Sequence, residues 1–380
     1  MGQGQDLYEG REHSKIKHLF LADYLKIASF KVLQGPWAAG TFTYVDGFAG
    51  PWSVADEEKC YDSSFDYAVR VLKDTQEALR AAGRSAPRLK FLLCEKDPEA
   101  LKRLRSYAAK QTGIEIKVFG GYFEDNLDEI RSQCDGFTFS FIDPKGWSLR
   151  SAEIAAFLSK LRGDFLINFM EHPISRHNSL PAVQQSFARF LDDPDWDNKI
   201  REGDDAPPRE MQILGLLKDR LRLLGAAKYM PDFPIKKPTK ERIQMRLILG
   251  TNHVQGVEVF RTVERTIESV QVQTRRDLAN RDKLQQSIFD TDELNRMDLD
   301  GRGVGGERNL ALAHDLCREI MATSRQEVRF DILAARVMER VAVRMTNMKD
   351  VVAKLRSEGL LAFDLQGRGK KPQDDTLIRP

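Results

Sequence analysis

The chain predicts an α/β protein built on a parallel sheet covered on both faces, followed by a separate helix–turn–helix unit. Three observations carry this. Five short β-rich runs between residues 41 and 170 alternate with helical segments. Those runs are almost continuously apolar, as strands buried on both faces are. Residues 311–380 then read as helix, turn, helix and hairpin.

A length of 380 residues exceeds one ordinary core and implies two domains or more. With 41% hydrophobic and 31% charged residues the chain reads as soluble and globular. No apolar run approaches the ~20 residues of a membrane span, so no membrane association is expected. The start, MGQGQDLYEGREHSKIKH, lacks an apolar signal region, and Asp6 stands where a myristoylation signal wants Ser or Thr. Cys60, Cys94, Cys134 and Cys317 form no CxxC or Cys/His cluster, so no metal site is expected. Scattered thiols suit a reducing cytoplasm. A net charge of +2 designates no partner by itself.

Residues 15–33 place Ile16, Leu19, Phe20, Leu25, Ile27 and Phe30 mostly on one helical face. Thr41–Val45 is the first strand, and Ser63 or Ser64 caps a helix over Phe65–Ala82. Leu89–Cys94 is the second strand. Asp97-Pro98 opens a helix, where the proline's missing N–H costs nothing. Ile114–Phe119, Gly136–Ile142 and Asp164–Met170 complete the strands, with helices at Asn126–Gln133 and Ser151–Leu161. The polar, breaker-rich stretch at about 174–235, with a helix at Met211–Leu224, reads as an insertion. Arg242–Leu249 and Gly256–Phe260 return to strand and helix patterns. The domains expected are 1–290, a linker at 291–310 and a C-terminal unit at 311–380.

The unusual residues sit at strand ends, where open α/β sheets bind ligands. The first strand runs into YVDGFAGPW, a glycine loop with neither the G-x-G-x-x-G fingerprint nor the G-K-[ST] of a P-loop. Alone it reads equally well as a structural turn. Glu95 ends the second strand, where an acid can accept hydrogen bonds from both ribose hydroxyls. Gly120-Gly121 follows the third, Asp143-Pro144 the fourth and Glu171-His172 the fifth. His172 is a candidate acid or base, although a lone His is more often structural.

YVDGFAGPW, FLLCEKDPEALKRL, GGYFEDNL and FIDPKGW, in this order, resemble class I S-adenosylmethionine-dependent methyltransferases. More closely they are similar to the three-Cys-motif partner family, over roughly residues 15–270, with GTNHVQGVEVF resembling its last conserved segment. The resemblance implies a Rossmann-like methyltransferase sheet with a helical insertion and a C-terminal winged helix. It places Asp46, Gly47, Phe48 and Gly50 around the methionine end of S-adenosylmethionine. Glu95 would hold the ribose, Lys96 would lie beside the adenine, and Gly121, Tyr122 and Phe123 would flank it. Asp143 and Pro144 would occupy the catalytic position. A protein partner with a three-Cys motif is implied by the family's name.

Two departures stand out. Trp52 replaces the last glycine of the family's loop. Asp143-Pro144-Lys145-Gly146 lacks the second proline and stacking aromatic of amino-methyltransferases, although Trp147 lies near. For an exocyclic amine, the Asp143 carboxylate and the Pro144 carbonyl would accept the two N–H bonds and turn the lone pair toward the methyl group. Lys145 would pair with a phosphate or with Asp143. A base taken from a duplex would have to leave the stack, with Trp52, Tyr122 and Trp147 as stacking candidates.

In the C-terminal unit, Asp331–Arg344 and Asn347–Glu358 read as the two helices and Met345-Thr346-Asn347 as the turn. The second helix would present Asn347, Lys349, Lys354 and Arg356 to DNA or RNA, with Arg368, Lys370 and Lys371 on a basic wing tip. The expected function is methyl transfer to nucleic acid. The alternatives are a catalytically weak cofactor-binding partner in a two-gene system and a DNA-binding regulator that senses the cofactor.

Overall fold

The computed structural model describes residues 8, 10–34, 40–50, 60–144, 149–170, 181–237, 242–282, 303–324, 326–364 and 369–380. Chain contacts divide it into two compact units, Met1–Lys228 with Phe233–Gly250, and Tyr229–Asp232 with Thr251–Pro380. Among the described residues no helix is long and apolar enough to cross a membrane.

The first unit opens with α1 (Glu12–Leu33) and then alternates strands and helices: β1 (Thr41–Asp46), α2 (Ser64–Ala81), β2 (Arg88–Glu95), α3 (Pro98–Ala109), β3 (Glu115–Gly120), α4 (Leu127–Gln133), β4 (Phe137–Ile142), α5 (Ser151–Leu158) and β5 (Gly163–Met170). Helices α6 (Pro181–Leu191) and α7 (Arg209–Leu223) follow, then β6 (Asp232–Lys236) and β7 (Ile243–Gly250). The sheet order is β3–β2–β1–β4–β5–β7–β6. The pairs β1–β2, β2–β3, β1–β4 and β4–β5 are parallel, and β5–β7 is antiparallel.

Local chemistry sets the element starts. Ser63 caps α2 by accepting from the Asp66 N–H, and Asp97 caps α3 by accepting from the Ala100 N–H at 2.9 Å. β1 is buried along its whole length. Across the middle of the sheet Tyr44 stacks on Phe139 and lies tilted against Phe91. Helix α1 is more enclosed than a one-sided amphipathic pattern predicts: Lys17 and His18 are buried along with Phe20, Leu21, Tyr24 and Leu25. The stretch expected to be an insertion also gives up its end to the sheet. In β6, Phe233 and Ile235 are buried in alternation around Pro234, a residue that strands tolerate at sheet edges.

The second unit begins with α8 (Val254–Asp282), so Gly256–Phe260 is helical. It continues with α9 (Glu307–Ser324), β8 (Val328–Arg329), α10 (Phe330–Arg340), α11 (Met345–Ser357) and β9 (Leu377–Ile378). β8 and β9 pair antiparallel, extended by the Ala362–Arg379 bridge. Its core joins Cys317 and Met321 of α9, Leu333 and Val337 of α10, and Met348, Val352 and Leu355 of α11. Val257 of α8 packs into the same cluster. The Arg261 guanidinium of α8 donates to the Met338 and Glu339 carbonyls at the end of α10 and pairs with Glu264. Helix α8, which falls within the 1–290 domain expected from sequence, therefore belongs with the C-terminal helices. Helix α11 starts at Met345, two residues earlier than expected, because the Asn347 side chain reaches back to accept from the Arg344 N–H at 3.0 Å.

Candidate functional site

β1 and β4 are adjacent in the sheet, yet the chain leaves them toward opposite edges. Beyond the carboxyl ends of such a strand pair opens the crevice where doubly wound sheets bind ligands. A cavity of about 420 Å³ lies there, within the range of about 300–1,000 Å³ for small-molecule sites.

The loop after β1 forms one wall through Gly47, Phe48 and Gly50. Asp46 lies behind that wall, fully buried. Its Oδ1 accepts from the Phe48 N–H at 3.0 Å, and its Oδ2 accepts from the Ser64 hydroxyl at 2.7 Å and the Tyr44 hydroxyl at 3.3 Å. Burial raises its carboxyl to about 6; the hydrogen bonds oppose the rise and the charge of Asp143 adds to it. The Gly47 N–H goes to the Phe141 carbonyl and the Ala49 N–H to the Cys94 carbonyl. The loop is thus held by its own bonds. A Cβ on Gly47 would sit 2.8 Å from the ring of Phe123. Phe123 is buried, 5.9 Å from the Phe48 ring and edge-on to Phe157.

The next wall comes from β2 and β3. Glu95 is buried and lines the cavity. One oxygen accepts from the Asp97 N–H at 2.6 Å. Among the described residues Glu95 has no cationic partner. Gly121 turns the chain at φ +101°, a conformation that favours glycine, and its N–H bonds the Glu95 carbonyl. Asn126 Nδ2 locks this turn by donating to the Tyr122 and Gly120 carbonyls. Tyr122 is exposed at 58%, with the Lys96 ammonium 4.9 Å from its ring centre, so both flank the cavity.

Asp143 and Pro144 line the far end. Here the structure adds residues that spacing did not single out. Lys17 of α1 pairs with Asp143 Oδ2, and Asn168 of β5 donates to Asp143 Oδ1 at 2.6 Å. Arg11, His13 and Ser14 bring the start of α1 to the same cavity. Arg11 pairs with Asp62 at 2.6 Å, and Tyr8 shares a hydrogen bond with His18. Burial holds His18 well below the ordinary imidazole range, hence neutral. One signal for these residues was visible: Asn168 is a polar interruption in the apolar strand DFLINFM. Trp52, Lys145, Trp147, Glu171 and His172 lie outside the described residues. Among the described residues no three His, Cys, Asp or Glu side chains gather into a metal-binding group.

In the second unit, Lys349 pairs with Asp374 at 3.2 Å, Lys354 lies 3.9 Å from Glu358, and Lys371 pairs with Asp350. Arg356 lies over the Phe363 ring. Asn347 serves the helix start, Lys370 is exposed, and Arg368 lies outside the described residues.

The seven-stranded, mostly parallel sheet with its helices is a Rossmann-like α/β arrangement. No family model matches the chain, and no curated protein matches it significantly. Among solved structures it is similar to protein LPL1258 from Legionella pneumophila str. Philadelphia 1, family model DUF519, at 10% identity, covering 69% of this chain and 92% of that one, with a TM-score of 0.39. It is also similar to a loganic acid methyltransferase with SAH, at 9% identity, covering 79% of this chain and 91% of that one, with a TM-score of 0.30. Both scores are below 0.5, so the function of the cavity has to be read from its own residues.

Proposed function

We propose that the chain is an S-adenosylmethionine-dependent methyltransferase acting on nucleic acid. The observation that carries the cofactor is Glu95: a buried carboxylate with no cationic partner among the described residues, facing a cavity at the switch point of the sheet. A buried charge needs donors, and the two hydroxyls of a ribose supply them. Lys96 and Tyr122 would flank the adenine. Gly47, Phe48 and Gly50 would border the methionine, with Asp46 holding their loop from behind. The bound cofactor would supply an electrophilic methyl group on a sulfonium. Asp143 and Pro144 would orient the acceptor, with Asp143 held in place by Lys17 and Asn168.

The nucleic-acid acceptor is inferred from the second unit, which we read as a winged helix because helix, strand, two helices and a returning strand surround one apolar core. Helix α11 would face the nucleic acid. Its Lys349 and Lys354 have acidic neighbours in Asp374 and Glu358, and its Asp350 pairs with Lys371, so phosphate contact at Lys349 and Lys371 must displace Asp374 and Asp350. Transfer of tritiated methyl groups to DNA and RNA oligonucleotides, in parallel with protein substrates, tests this reading. Labelled nucleic acid, with binding that weakens steeply as salt rises, is the expected result. Label on protein alone, or salt-independent binding, would overturn the nucleic-acid reading.

A second reading is a catalytically weak partner protein, matched by the three-Cys-motif resemblance. It is favoured by Asp143, whose two oxygens already have partners within the chain. Cofactor binding without transfer to any acceptor would select it.

A further inference from the structure

We propose that His13 is the catalytic base of the site, taking the proton that the acceptor loses as it is methylated. The inference rests on the methyltransferase reading above and adds a residue to it.

His13 lies on α1 one turn before Lys17, and both line the cavity. Lys17 is bonded to Asp143 at the acceptor end, so the same face of the helix carries His13 to that end. Every other titratable side chain described along the cavity has a partner. Arg11, Lys17 and His18 are engaged as given above, the acidic residues accept hydrogen bonds, and Lys96 lies over Tyr122. His13 has no hydrogen-bond or ion-pair partner among the described residues. His13 is half-buried in the cavity wall, and a polar side chain there without a partner is placed to meet a ligand.

The charges around it suit a proton acceptor. Burial lowers the imidazole below its ordinary range, Lys17 and then Arg11 act the same way, and Glu12 and Asp143 oppose them. The ring is therefore neutral at neutral pH and has a nitrogen lone pair to offer. Once protonated, it would lie in the field of Glu12 and Asp143, with Lys17 and Arg11 favouring release of the proton afterwards. Transfer then balances. The acceptor's O–H or N–H proton passes to the imidazole, and its electron pair forms the new bond to the methyl carbon. The carbon–sulfur bonding pair stays on sulfur, which becomes a neutral thioether, and His13 leaves as imidazolium.

The test follows the His13 ring by NMR titration of the full chain, assigned by comparison with H13Q, in the free protein and with S-adenosylmethionine or S-adenosylhomocysteine. The two ligands differ in the charge on sulfur. A unit charge about 10 Å away at an effective dielectric of about 20 moves a midpoint by on the order of one pH unit. The expected result is a lower His13 midpoint with the sulfonium than with the thioether. Equal midpoints would place His13 away from the methyl group and overturn the inference, leaving cofactor binding intact. Failure of both ligands to bind would overturn the methyltransferase reading and the inference with it. With an acceptor in hand, H13Q should keep the cofactor affinity and lose about 10²–10⁴-fold in transfer rate. The acid limb of its pH profile should vanish, and imidazole should rescue H13A. A rate within threefold of the parent would contradict the role.

Discussion

Asp46 has partners on both carboxylate oxygens and no solvent contact, and burial still disfavours its ionised form. Its carboxyl is raised from 3.8 to about 6, so between those values the folded state binds more protons than the unfolded one. Stability falls as pH rises through this window, by about 3 kcal/mol once ionisation is complete. Asp46→Asn removes the titration. Chemical denaturation between pH 4 and 7 should show the variant gaining on the parent as pH rises; a difference independent of pH would contradict the assignment. Lys17 presents the opposite case. It neutralises Asp143 in a partly enclosed pair, so Lys17→Met should lower stability by about 1–3 kcal/mol by leaving a charge short of partners. Adding Asp143→Asn should recover part of the loss in urea melts. Additive effects of the two changes would show that the pair does not interact.

At the scale of elements, the site depends on how strand ends are braced. The β1 loop approaches Phe123 so closely that Gly47→Ala should overpack it, costing about 1–3 kcal/mol in thermal or denaturant unfolding. Phe123→Leu in the same chain should relieve part of that. A neutral Gly47→Ala would mean the ring moves freely, which its contacts with Phe48 and Phe157 argue against. Asp97 caps α3 while its own N–H holds Glu95, joining a helix start to the cavity-lining carboxylate. Asp97→Ala should cost about 1 kcal/mol in denaturant unfolding through loss of the cap. No loss would show the cap to be energetically idle.

Across the whole molecule, the strands, the buried character of β1, β2, β4 and β5 and the special residues at strand ends were readable because each is a local pattern: β-rich runs, glycine pairs and an acid after an apolar strand. β3, at the sheet edge, is instead largely exposed. The Asp143 end of the cavity was not readable in the same way. Lys17 reaches Asp143 across 126 positions of sequence, and only the packing of α1 over the strand ends brings His13 and Lys17 there. Asn168 had a local signal, one polar residue inside a buried strand, whose partner could not be inferred from spacing. The C-terminal helices were legible from turn chemistry, but the acids that pair with Lys349, Lys354 and Lys371 were not. Partner choice among long side chains is a tertiary property.

The central question is whether the cavity holds S-adenosylmethionine through Glu95. Calorimetric titration of the parent chain and of Glu95→Gln decides it. Glutamine keeps an acceptor for the Asp97 N–H and loses the charge. Saturable binding by the parent, weakened about 10–100-fold in the variant, is the expected outcome, as for loss of charge-assisted hydrogen bonds. Equal affinities, or no heat from either protein, would contradict it.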